Sequence, residues 1–233
     1  MSTVERPARR TLTFVPRRPP RLVLCAPMLV PAAVRRPLDE GAVVVDGRSP
    51  EAYDACHIPG SVCIPLDGGA FEHRVQSVIA TGAKVVAAAT GDVDGQAMAR
   101  GLARAGVRSV VGVLDGGARA YARAGYEVGC RPAASAERLF EDLQLGGAVL
   151  VDARDDEEWL EGHVPGSVHM PLESLGRRTS RLPRTPVVVA CSNGLRAATA
   201  ASVLRRDGHR DVWRVAGGGL EYLLGRRLDL RGL

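Results

Sequence analysis

Apolar positions along the chain gather into short, nearly unbroken runs, and the segments between them carry the mixed spacing of amphipathic helices. Lys84–Ala89 and Pro186–Ala190 are apolar runs of strand length, as are Ser109–Leu114, Asp211–Val215 and the stretches VVVD at 43–46 and VLVD at 149–152. Runs of this kind suit strands covered on both faces, whereas a half-exposed strand alternates. Ala- and Arg-rich stretches with helical spacing follow two of them and end near Gly106 and Gly208, which are suited to close a helix. Pro31 suits a first helical position, and Ser135 an N-cap with Arg138 and Leu139 behind it. Strands that alternate with helices predict an α/β fold with mainly parallel sheets flanked by helices on both faces.

The pattern occurs twice. Residues 41–66 read GAVVVDGRSPEAYDACHIPGSVCIPL and residues 147–172 read GAVLVDARDDEEWLEGHVPGSVHMPL, aligned without a gap and identical at roughly half of the positions. Asp46, Arg48, His57 and Pro59-Gly60-Ser61 match Asp152, Arg154, His163 and Pro165-Gly166-Ser167. The stretch Gly129–Ala134 has no periodicity. The expected organisation is therefore a basic extension over 1–27, a first domain over 28–129, a linker over 130–134 and a second domain over 135–233.

Composition narrows the function classes. In 233 residues, 45% hydrophobic and 24% charged, the chain reads as globular, and aromatic residues at 4% leave few platforms on which nucleic-acid bases could stack. Much of the net charge of +5 lies early, where Arg6, Arg9, Arg10, Arg17, Arg18, Arg21, Arg35 and Arg36 crowd a segment whose only acid before Asp39 is Glu5. That segment reads as a solvated arm, and no nucleic-acid or membrane partner is expected. The apolar run Leu22–Val34 is broken by Pro27 and Pro31, unlike a signal-peptide core. Five cysteines, an odd number with no CxxC pair, argue against a disulfide framework and for a reduced, cytoplasmic setting.

One cysteine stands apart. The run 186–190 leads into Cys191-Ser192-Asn193-Gly194-Leu195-Arg196, while the matching run leads into Ala89-Thr90-Gly91-Asp92-Val93-Asp94. A cysteine at a strand end, followed by a small polar loop that opens a helix, faces backbone N–H groups and the positive end of the helix dipole. Both favour the thiolate, the nucleophilic form. Gly194 permits the tight turn, and Arg196 is placed to grip an anionic group through its planar fork. Cys25, Cys56, Cys63 and Cys130 lack this context and read as structural. So do His57 and His163, present in both copies, and the Asp46–Arg48 and Asp152–Arg154 pairs; Trp213 reads as core.

These residues together resemble a tandem rhodanese, a two-domain sulfurtransferase family, over about 28–225. The resemblance rests on VVDGR and LVDAR, on HIPGSVCIPL and HVPGSVHMPL, on the CSNGLR loop and on the closing glycine pairs. It implies a first domain without the nucleophile, with Ala89 or Thr90 in place of Cys191 and Asp94 in place of Arg196. It further implies that Cys191 is the catalytic residue and that Ser192, Asn193, Gly194, Leu195 and Arg196 bind substrate, with no metal or organic cofactor. The implied reaction moves sulfane sulfur from thiosulfate or a related anionic donor, through a Cys191 persulfide, to cyanide or a thiol. CSNGLR is closer to the loop of single-domain rhodaneses than to the Gly-Val-Thr loop of the long two-domain enzymes. The first copy also resembles rhodanese repeats attached to persulfide dioxygenases, but no HxHxDH metal motif is present. A cysteine phosphatase or arsenate reductase needs one more residue between cysteine and arginine, and a persulfide carrier or binding module without turnover remains the alternative. The sequence leaves the oligomeric state open.

Overall fold

The computed structural model describes residues 25–90, 94–226 and 228–231. The basic segment up to residue 24, and Gly91, Asp92 and Val93 in the first copy's loop, lie outside the described residues. The apolar runs become parallel strands. In the first half, β1 (Met28–Leu29), α1 (Pro31–Asp39), β2 (Val43–Asp46), α2 (Pro50–Ala55), β3 (Val62–Cys63), α3 (Phe71–Val78), β4 (Lys84–Ala88), α4 (Gly95–Arg104), β5 (Ser109–Leu114) and α5 (Gly117–Arg123) follow in order. The second half runs α6 (Ala136–Gln144), β6 (Val149–Asp152), α7 (Asp156–Glu161), β7 (Val168–His169), α8 (Leu175–Arg178), β8 (Val187–Cys191), α9 (Leu195–Arg206), β9 (Val212–Gly219) and α10 (Leu220–Gly225). The sheet orders are β1-β5-β4-β2-β3 and β7-β6-β8-β9, so the same arrangement recurs, with β1 added in the first. Helix starts fall where expected: Pro31 opens α1, and the Ser135 side chain accepts the Arg138 N–H.

Register fixes how the two copies correspond. Val43 pairs with Val85, and Val149 pairs with Val187, which sets Ala89 rather than Thr90 opposite Cys191. Asp94 is not the counterpart of Arg196. Its side chain accepts the Gln96 N–H and caps α4, the place that Gly194 takes for α9, so the first copy's loop is two residues longer. The strand β9 also extends past the expected 211–215 through the glycines to Gly219, which pairs with Cys191 after a register shift. Gly219 has φ +49°, and a Cβ there would collide with the Val215 side chain, so only glycine lets the chain turn beside the cysteine.

The duplicated motifs hold loops in place. Asp46 accepts from the Arg48 side chain at 2.6 and 2.8 Å, and Arg48 reaches on to the Cys56 carbonyl at 2.6 Å. Arg154 repeats this with Asp152 at 2.8 Å and the Gly162 carbonyl at 2.7 Å. His57 stacks on Tyr53 with ring centres 4.3 Å apart, and its Nδ1 lies 2.9 Å from the Tyr53 carbonyl. His163 does the same with Trp159 at 3.8 and 3.1 Å. Each histidine thus ties off the helix before the next strand. Trp213 packs half-buried against the second half's core, in line with its core assignment, and the guanidinium carbons of Arg131 and Arg138 lie 5.1 and 5.6 Å from its ring.

The two halves share one apolar core, which runs from Val62, Ile64 and Phe71 to Leu172, Ala197 and Leu204. The helix α9 explains the join. Ala197 through Leu204 are all buried, because the helix lies between its own sheet and the outer strand β3 of the other sheet. Small side chains allow the close approach, and the Ser202 hydroxyl accepts the Cys63 N–H at 2.9 Å, satisfying a donor on an edge strand. Arg214 on β9 reaches across to Asp54 of α2 at 2.6 and 3.0 Å, a buried ion pair between the halves.

Candidate active site

Cys191 is the last residue of β8 and is fully buried. The chain turns at Gly194, whose φ of +87° no β-carbon residue adopts cheaply, and α9 starts at Leu195. That turn aims two backbone donors at the sulfur, Gly194 N–H at 3.1 Å and Ala197 N–H at 3.3 Å. The Leu195 N–H is spent elsewhere, on Asn193 Oδ1 at 3.2 Å, which fixes the loop as a side-chain turn. Asn193 Oδ1 lies 4.0 Å from the sulfur. The loop residues therefore converge, but the donors to the sulfur are Gly194 and Ala197 rather than the whole run 192–196. Ala197 was not among the expected site residues, since a first-turn helix N–H is invisible in side-chain patterns.

Arg196 is not the free cation expected of it. Its guanidinium is paired with both carboxylate oxygens of Glu158, with the Oε1 contact at 2.8 Å, and with Asp155 at 2.9 Å; it also donates to the Ser192 hydroxyl at 2.8 Å. These acids belong to the start of α7, where Glu158 also accepts the Asp155 N–H at 3.3 Å. The Glu158 carboxyl is held below the usual range mainly by the Arg196 hydrogen bonds. For Arg196, burial lowers the pKa but the Glu158 contacts outweigh it, so the net shift is upward. Ser192 and Asn193 are exposed, Leu195 and Arg196 half-buried.

The other half completes the surroundings. A cavity of about 170 Å³ lies over the loop, lined by Asn193, Leu195 and Arg196 on one side and by Gly68, His73 and Arg74 on the other. Gly68, with φ +84°, presses on the Leu195 side chain, where a Cβ would overlap it. At the rim, Glu173 accepts from Ser77 at 2.9 Å and lies 3.4 Å from His73. Sequence reasoning missed Gly68 and Arg74, because they line the loop's cavity from more than a hundred residues away in the chain. Among the described residues, no three His, Cys, Asp or Glu side chains are grouped to hold a metal ion. No described helix is long and apolar enough to cross a membrane.

The Rhodanese-like domain family matches twice, over residues 30–124 and 135–223. A thiosulfate sulfurtransferase GlpE from Pseudomonas syringae is 40% identical over 78 residues, covering 33% of this chain and 73% of the relative. An HTH-type transcriptional regulator, Rv0324, from Mycobacterium tuberculosis is 34% identical over 88 residues, 37% of this chain and 39% of the relative's length. An uncharacterised protein YqhL from Bacillus subtilis is 36% identical over 73 residues, 30% of this chain and 57% of the relative.

Proposed function

The chain belongs to the Rhodanese-like domain family, with two copies in tandem, and from that premise we propose that it is a sulfurtransferase whose nucleophile is Cys191. The observation that carries this reading is the pair of N–H groups aimed at the Cys191 sulfur from the turn at Gly194. Donors fixed by the backbone stabilise charge on that sulfur without reorganising as the reaction proceeds. The Cys191 thiolate attacks the outer sulfur of thiosulfate; the sulfur–sulfur bond breaks, sulfite leaves with its electron pair, and a cysteine persulfide remains. A cyanide ion or thiolate then attacks the outer sulfur and departs as thiocyanate or a new persulfide, which returns the Cys191 thiolate. The name of the GlpE relative supports thiosulfate as a donor to test first.

The half with Ala89 in the equivalent place has no thiol there and serves as the wall of the cavity. We divide the chain functionally at 130–134, with the sulfur-carrying cysteine after it. All five cysteines are unpaired, which fits a reducing, cytoplasmic compartment. Steady-state turnover of thiosulfate and cyanide tests the reading: the parent forms thiocyanate with ping-pong kinetics and Cys191→Ser forms none. The alternative is a persulfide carrier that loads sulfur on Cys191 but does not turn over. Loading without thiocyanate would select it.

A further inference from the structure

Four arginines are buried among the described residues: Arg48, Arg74, Arg154 and Arg214. Three of them meet a carboxylate, Arg48 at 2.6 Å from Asp46, Arg154 at 2.8 Å from Asp152 and Arg214 at 2.6 Å from Asp54. Arg74, on α3 and only 4% exposed, pairs with no carboxylate of the described residues. Its Nη1 donates to the Gly69 carbonyl at 2.5 Å, and its Nη2 to the carbonyls of Pro65 and Asp67 at 2.7 and 3.5 Å. The Nε hydrogen is buried without a partner. A guanidinium has five N–H donors, so the Nε hydrogen and one on Nη1 are uncommitted.

A buried cation without a counterion is costly, and an arriving anion offsets that cost. Arg74 lines the cavity beside Asn193, Leu195 and Arg196; the two carboxylates that also line it are engaged, Asp155 by Arg196 and Glu173 by Ser77 and His73. Burial is the largest influence on its pKa and lowers it. Starting from an arginine's ordinary value it remains a cation. Arg196, the cation nearer in sequence, is already neutralised by Glu158 and Asp155.

Building on the proposed sulfur transfer, we propose that Arg74, supplied by the half without the nucleophile, receives the anionic end of the sulfur donor. The donor class is then a small oxyanion carrying a terminal sulfur, small enough for a cavity of about 170 Å³. This contact makes the first half a part of the donor site.

Sulfur loading of Cys191, read by mass spectrometry against donor concentration, tests the assignment for the parent, Arg74→Gln and Arg74→Lys. Thiosulfate is compared with methanethiosulfonate, which has the same transferable sulfur and one fewer negative charge, and thermal midpoints are recorded alongside. Loss of one charge-assisted contact in Arg74→Gln raises the half-saturating thiosulfate concentration about tenfold, or about 1.4 kcal/mol. The rise is smaller for methanethiosulfonate, and Arg74→Lys, which keeps the charge without the fork, recovers most of the loss. Unchanged half-saturation in Arg74→Gln overturns the proposal. So does an equal loss for both donors in both variants with a lowered thermal midpoint, which assigns Arg74 to holding the 65–69 loop. If Arg74→Gln does not fold, the lysine variant decides by the same comparison of donors. A parent that takes up no sulfur overturns the sulfur-transfer reading as well, whereas a parent that loads normally isolates the failure to Arg74.

Discussion

Replacing Asp54 with asparagine tests how the cavity is held between the two halves. Asp54 and Arg214 are almost fully buried, and the carboxylate accepts two hydrogen bonds from the guanidinium, at 2.6 and 3.0 Å. Asparagine keeps the shape but leaves the guanidinium buried opposite a neutral amide. Removing one partner of a buried pair costs about 3–5 kcal/mol. Glu51, 3.3 Å from Arg214 but 71% exposed on its side chain, compensates in part, which favours the low end. For a chain of this size, about 3 kcal/mol lowers the thermal midpoint by about 6–12 °C. Urea and thermal unfolding of the variant and the parent measure this directly. Replacing both residues with apolar ones, Asp54→Leu with Arg214→Met, costs less than the sum of the single changes, because neither charge is left unpaired. A midpoint for Asp54→Asn within about 1 °C of the parent would refute the reasoning, since the pair would then contribute nothing that its removal exposes.

Two further outcomes concern His57 and Glu158. Burial pushes the His57 pKa down, so the unfolded chain binds more protons than the folded one below about pH 6.5, and stability is lost as the pH falls through that value. The urea midpoint of the parent should therefore fall between pH 7.5 and 5.5 by more than that of His57→Gln; equal slopes would count against a buried neutral imidazole. Glu158→Gln leaves Arg196 opposed by Asp155 alone. Glu158 and Arg196 are half-buried, and with Asp155 still opposing the guanidinium the net change is about 1 kcal/mol, so half-saturation by thiosulfate falls by about fivefold. A rise would mean that Glu158 aims Arg196 rather than neutralising it.

The parts legible in the sequence are those with local causes. The duplicated 26-residue stretch, the buried strands, the helix starts at Pro31 and Ser135, and the loop Cys191–Arg196 each follow from neighbouring residues. The state of Arg196 did not, because its partner Glu158 is 38 positions away and a charge pattern does not show which acid a fold brings near. The role of Arg74 was hidden for the same reason. Its significance is a missing counterion, visible only once burial is known. The alanine run of α9 reads as a helix in sequence, but its burial on every side depends on the other half packing its β3 edge against it. Trp213 packs against the core as its hydrophobicity suggests, but the Arg131 and Arg138 contacts over its ring come from distant parts of the chain and were not legible.

The central claim, that Cys191 carries the sulfur, is tested most directly by peptide mass spectrometry of the protein after exposure to thiosulfate. Cys25 and Cys130 are exposed, and burial holds the Cys63 thiol well above its ordinary pKa, so exposure and reactivity give three internal controls in one digest. One added sulfur atom is expected on the peptide that contains Cys191, removed by cyanide with formation of thiocyanate, and none on the other cysteine peptides. An unmodified Cys191 in a protein that still converts thiosulfate, or sulfur found on another cysteine instead, would contradict it.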